Sequence, residues 1–153
     1  MTMSRDPIFQ ALFALGQAIA WTDPVTGQPG QWQMTRRRLS TPDQIGADEQ
    51  PALLQAETEE TIAQLTKMPS KRILTAAWVI YLKPYEAPSS TGPLLNTVLD
   101  AVDAAFAPDD LSGEACTLGG LVIHAWIDGA VFKDAGDLDQ QAMLIVPIKL
   151  LVP

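Results

Sequence analysis

The chain has 153 residues, 47% of them apolar and 18% charged, which is enough to bury a core and too little charge for a disordered chain. Ten basic residues against 18 acidic ones leave a net charge of −8, which argues against a broad electrostatic footprint on nucleic acid or anionic membrane. One cysteine, Cys116, and one histidine, His124, exclude an internal disulfide framework, a cysteine-based zinc knuckle and a histidine-rich metal site.

The N-terminal segment reads as a helix. Ser4 or Asp6 caps it, and Pro7 suits its first turn because proline has no N–H to leave unsatisfied there. Ile8, Leu12, Leu15 and Ile19, with Phe9 and Phe13 alongside, form one wide apolar stripe. The apolar stretch Ile8 to Trp21 contains Gln10 and Gln17, lacks a strongly basic leader and is too short to span a bilayer. Neither a targeting segment nor a membrane span is therefore expected, and Met3 offers an alternative start to Met1. Thr22 to Gly30 holds two prolines and two glycines and reads as a loop or hairpin tip.

Two extended segments follow, Gln31 to Ser40 with the run Arg36-Arg37-Arg38, and Ala52 to Thr61 with Glu57, Glu59 and Glu60. The polar stretch Pro42 to Gln50 between them reads as a loop. Lys71 to Lys83 is the clearest strand. Both of its faces are largely apolar, so a central strand covered on both sides is expected. After the turn-rich Lys83 to Gly92, Pro93 to Ala107 reads as a second helix that buries Leu95, Val98 or Leu99, Val102 and Phe106, turns Asp100 and Asp103 outward and stops at Pro108. Cys116 to Asp128 is expected as a fourth strand, opening with a bend or bulge at Gly119-Gly120. A polar loop, Gly129 to Gln141, leads to a final strand, Ala142 to Val152. That strand is apolar nearly throughout, and Pro147 removes one ladder donor, so it is expected at a sheet edge or bulged there. An apolar edge is an aggregation hazard that oligomer formation relieves.

The order α-β-β-β-α-β-β describes a single α+β domain, residues 1–153, in which about five strands form one mostly antiparallel sheet with two helices packed on it. Charge is blocky: residues 39–66 hold six acids and no base, and residues 84–139 hold ten acids against Lys133. Segregated patches suit head-to-tail contact between copies, while acidic loops and basic strand ends explain the same pattern without any contact.

Few residues are equipped for chemistry. In a strand, alternation sends Arg37 to the face opposite Arg36 and Arg38, so the run reads as a charge-guarded edge strand or as an inter-subunit contact. Read as a strand from Leu121 to Asp128, the next segment puts Leu121, Ile123, Ala125 and Ile127 on an apolar face and Val122, His124, Trp126 and Asp128 on the other. A catalytic pairing of His124 with Asp128 and Ser112 or Cys116 fails on distance, since four residues of strand span about 13 Å. A face bearing Trp and His reads as an interface. The loop Asp134 to Asp139, with Asp128 before it, misses the calcium-loop pattern and reads as solvated charge. Cys116 has no basic neighbour in sequence and reads as an inert small apolar residue. No catalytic residue, metal or cofactor is expected. The candidate subunit-interface residues are Arg36, Arg38, His124, Trp126 and Asp128.

Five segments, Ser4–Leu15, Asp48–Leu53, Asn96–Pro108, Leu118–Gly129 and Ile145–Pro153, resemble small tail-region proteins of tailed bacteriophages and prophages, with the order of elements kept along the whole chain. In fold the chain is similar to the tail terminator family of long-tailed phages. The resemblance implies a virion protein at the head-proximal end of the tail, assembled in the host cytoplasm as a homohexameric ring. Such a ring stops tail-tube polymerisation, docks the head–tail connector and lets DNA pass through its lumen without specific binding. It implies no enzyme activity and no membrane contact. The alternative from a different class is a monomeric or dimeric domain binding a small ligand or a regulatory partner, and a small hydrolase using Cys116 or His124 ranks behind both.

Overall fold

The computed structural model describes residues 3–64, 66–86 and 88–153. The chain is α+β, built from α1 (Arg5–Gln17), β1 (Ala20–Thr22), β2 (Pro29–Gln31), β3 (Met34–Arg36), β4 (Ala52–Ala63), β5 (Lys71–Leu82), α2 (Gly92–Ala105), β6 (His124–Ile127), β7 (Phe132–Asp134) and β8 (Ala142–Val152). β1 and β2 form a separate hairpin around the Thr22–Gly30 tip. The other strands make one sheet in the order β3-β4-β5-β8-β6, with β7 also paired to β8. All its pairings are antiparallel except β3 with β4, which is parallel.

Both helices lie on one face of this sheet. That face carries Leu74, Ala76, Trp78, Ile80 and Leu82 of β5 and the even-numbered residues 144–152 of β8, none more than 1% exposed. They meet Ile8, Phe9 and Leu12 of α1 and Leu94, Leu95, Val98 and Val102 of α2 in one cluster. Each such side chain taken fully out of water stabilises the fold by about 1.5–3 kcal/mol. α1 approaches closely at Gly16, where an added Cβ would stand 2.8 Å from Leu53 Cδ2 and 2.9 Å from Trp78 Cζ2. A buried polar link crosses the same contact. Gln55 Nε2 donates to the Phe9 carbonyl at 3.1 Å, and Trp78 Nε1 donates to Gln55 Oε1 at 3.0 Å.

Several expectations are corrected. The final strand is central, paired with β5 along its whole length and with β6 and β7 on its other side. Pro147 is accommodated without a bulge because it lies opposite the gap between β6 and β7. Its carbonyl accepts from Asp128 N just past the end of β6, and its missing N–H would have faced that same side, so no bond of the β5–β8 ladder is lost. The segment Gln31 to Ser40 is not one strand: Gln31 closes β2, and Arg37 and Arg38 fall beyond β3. β3 is nevertheless an edge strand, as the arginine run suggested. The strand expected from Cys116 begins only at His124, because Leu118, Gly119 and Gly120 adopt positive φ (51°, 72° and 92°) and turn the chain. Alternation consequently breaks there, with Val122 buried and Leu121 and Ile123 exposed. The Gly129–Gln141 segment contains β7 as well as loop.

Candidate functional site

β5 is covered fully on only one face, not both. On the far side from the helices, two 3-10 turns, Pro42–Gln44 and Ala47–Glu49, carry Ile45 over Leu54, Val79 and Tyr81 and close the upper part of that face. Below them the face is open. Its rows, read across β4, β5, β8 and β6, are Thr61–Ile73–Leu151–His124 and Glu59–Thr75–Lys149–Trp126, followed by Ala56–Ala77–Pro147. Ile73, Thr75, Ala77, Lys149 and Leu151 are half-buried, with no element above them. A bulge between Glu57 and Glu59 sets this face, sending Glu57 and Glu60 to the helix side and Glu59 to the open side.

The five candidate interface residues do not gather in one place. His124, Trp126 and Asp128 sit together at the β6 edge of the open face. The His124 and Trp126 rings stack at 5.3 Å, and Trp126 Nε1 donates to Asp128 Oδ1 at 3.2 Å. Arg36 and Arg38 sit at the other edge, about 19 Å off across the sheet and offset along it as well, since Arg36 is level with Leu54 and Val79 whereas His124 is level with Ile73. Arg36 reaches Glu49 at 3.4 Å, and Arg38 is exposed. Arg37, between them, holds Asp6 of α1 at 2.9 Å and also Glu57 of β4. Together with Arg5–Glu60 and Arg72–Glu60, it ties the start of α1 to the β4–β5 arm. The hydrogen bond from Arg5, followed by that from Arg72, holds the Glu60 carboxyl at about 2.

His124 and Cys116 meet in space, which their spacing did not show. The contact is from the Cys116 backbone N–H to His124 Nδ1, at 3.3 Å. In that bond Nδ1 is the acceptor. Burial pushes the Cys116 thiol upward, away from the thiolate, and Asp128 bonds Trp126 instead of His124. Among the described residues no group of three or more His, Cys, Asp or Glu is placed to hold a metal ion. Asp134 and Asp139 accept backbone N–H groups of Gly136 and Gln141 and shape their loop. Asp109 does the same for the turn before β6. Gly119 N, Thr117 N and the Thr117 hydroxyl donate to it, and the backbone bonds hold its carboxyl below the usual range.

One feature carried no signal in the sequence: a cleft of about 460 Å³ beside Gln50, Lys83, Tyr85 and Gln141. The two glutamine side chains bond each other across it, at 3.1 and 3.2 Å. The residues that meet there are 91 positions apart in the chain, so no local pattern announces them. Among the described residues no helix is long and apolar enough to cross a membrane. No protein-family model matches the chain, and no curated protein matches it.

Proposed function

We propose that this chain is the subunit of a hexameric ring at the head-proximal end of a phage tail, a tail terminator that stops tail-tube polymerisation and joins the tail to the head–tail connector. The observation that carries the reading is the placement of the two candidate patches, Arg36 with Arg38 and His124 with Trp126 and Asp128, on opposite edges of one sheet. A patch that must meet a different patch on the next copy makes a heterologous contact, and such contacts close into rings when the rotation allows. The resemblance of five segments to tail-region proteins supports the same reading. So does a net charge of −8 per subunit, since a lumen of like charge lets DNA pass without sticking. The role is structural, needs no cofactor and places the protein in the virion after assembly in the host cytoplasm.

Native mass and negative-stain images, taken alone and with tail-tube subunits added, test the proposal. Sixfold rings are expected, and reversing charge at Arg36 and Arg38 (both to Glu) should abolish them. Particles without sixfold symmetry under both conditions refute it. The second reading, a domain binding a small ligand or a regulatory partner, is favoured by the cleft, whose volume of about 460 Å³ lies within the range of small-molecule sites, roughly 300–1,000 Å³. Its mouth is wide, so it ranks second.

A further inference from the structure

Three of the four tryptophans give their indole N–H to a partner: Trp32 to the Gly16 carbonyl at 2.7 Å, Trp78 to Gln55 and Trp126 to Asp128. The Trp21 N–H meets no acceptor among the described residues, although Trp21 is only 9% exposed. A buried indole N–H ordinarily finds an acceptor, and one left without costs stability. The nitrogen is not sealed in, since among those residues Arg37 Nε is the one sealed side-chain polar atom without a partner. It opens on a second cleft, of about 360 Å³, that Trp21 and Gly30 line together. Gly30 makes this opening possible: a Cβ there would run into Trp21 Nε1.

This cleft adjoins the one described above, because Gln50, Lys83 and Tyr85 line both. The Tyr85 hydroxyl donates to Asp23 Oδ1 at 2.7 Å, which fixes the ring in the shared wall. The Trp21 ring packs on Trp32, with centroids 4.8 Å apart, and offers the cleft its N–H edge. Gln28, Gln31 and Gln33 line the same cleft, and their amides meet no partner among the described residues. Six of the 11 glutamines in the chain line one cleft or the other, so the walls are rich in amides.

Those walls select a ligand by type. An amide both donates and accepts at one end, as a sugar hydroxyl does, and each matches the other without charge. Lys83 is the only base beside three acids, Asp23, Glu86 and Asp137, so phosphates and carboxylates are repelled. Volumes of about 360 and 460 Å³ lie in the range of small-molecule sites, and each has room for one six-membered sugar ring. We propose that the adjoining clefts bind a neutral disaccharide, one ring in each, with Tyr85 against both and the Trp21 N–H donating to a hydroxyl oxygen of the ring nearer Gly30. The mouths are wide, so an affinity of about 1 mM is expected. The site asks nothing of the ring reading, since none of the five candidate interface residues lines either cleft.

The test is an NMR titration of the whole chain with maltose, cellobiose, lactose and N,N′-diacetylchitobiose, each to about 50 mM, well above a millimolar Kd. The indole N–H signal absent from Trp21→Phe identifies Trp21. In the parent that signal should shift with at least one disaccharide, while those of Trp32 and Trp78 stay in place. Trp21→Phe keeps an aromatic ring and should weaken binding about tenfold. Gln31→Ala changes an exposed position, should weaken binding too, and carries the test if circular dichroism shows that Trp21→Phe does not fold. No shift with any of the four sugars overturns the proposal. So does unchanged affinity in Trp21→Phe, or in Gln31→Ala where the first variant does not fold. A shift with tetraglycine and with none of the sugars also overturns it, and gives the clefts to an extended peptide instead. Ring formation is read separately by native mass, so a failure of sugar binding leaves the ring reading standing, and the reverse holds.

Discussion

Replacing Gln55 by leucine removes the one side chain that satisfies the indole N–H of Trp78 inside the core. Both residues are fully buried, and the chain of bonds runs from Trp78 Nε1 through the Gln55 amide to the Phe9 carbonyl. The Phe9 carbonyl lies inside α1 and keeps its own helical bond, so the loss falls on Trp78. One orphaned buried donor costs about 1–3 kcal/mol. For a chain of this length each kcal/mol moves Tm by about 2–4 °C, so a fall of about 2–12 °C is expected in thermal unfolding followed by circular dichroism. Urea midpoints should drop with an unchanged slope, since the surface exposed on unfolding is the same. The decisive comparison is a double-mutant cycle with Trp78→Phe, which has no N–H to orphan. In that background Gln55→Leu should cost at least about 1 kcal/mol less. Equal costs in both backgrounds would falsify the account of this link.

Three further outcomes follow from the geometry. Gly16→Ala should lower the urea midpoint, because a Cβ 2.8 Å from Leu53 and 2.9 Å from Trp78 overpacks a site where such insertions cost about 1–3 kcal/mol, more than the roughly 1 kcal/mol alanine gains over glycine in a helix; a raised midpoint contradicts the close approach. Glu60, held at about 2 in the folded chain against an ordinary 4.5, contributes stability that is full above pH 4.5 and lost as pH falls toward 2. Glu60→Gln should therefore lose stability less steeply over that window, and added salt should shrink the difference; parallel curves at low salt count against the Arg5–Glu60–Arg72 cluster. The thiol of Cys116, 3% exposed and pushed upward by burial, should resist a thiol reagent in the native protein and react fully once urea unfolds it. Rapid stoichiometric labelling of the native chain would contradict its burial and reopen the reading of Cys116 as a nucleophile.

Local periodicity made much of the framework legible. Of the expected stripe, Ile8, Phe9 and Leu12 are buried along α1 while Ile19 falls beyond its end; the helix from Pro93 and the Thr22–Gly30 tip are present as expected, because each depends on residues a few positions apart. The candidate residues are where the pattern was weaker. Val122 and Leu121 exchange faces because three positive-φ residues turn the chain just before them, and alternation holds only along continuous strand. Arg37 reads as one of three exposed bases in a row, yet it is the member that knits α1 to β4. Gln55 has no mark in the sequence that separates a buried, bonded amide from a surface one.

The sequence by itself determined an α+β chain with two amphipathic helices, a strongly apolar final strand and an arginine-bearing edge. Only the tertiary structure decided which strands are neighbours. It set β8 in the middle of the sheet, where Pro147 faces a gap, and it covered one face of β5 while leaving the lower part of the other open. The physical reason is that apolar periodicity records which side chains of an element are suited to burial, whereas the surface that buries them is supplied by residues far away in the chain. Two helices cover one face of this sheet and a single short segment around Ile45 reaches the other. The remainder of that second face, around Thr75 and Lys149, is left uncovered.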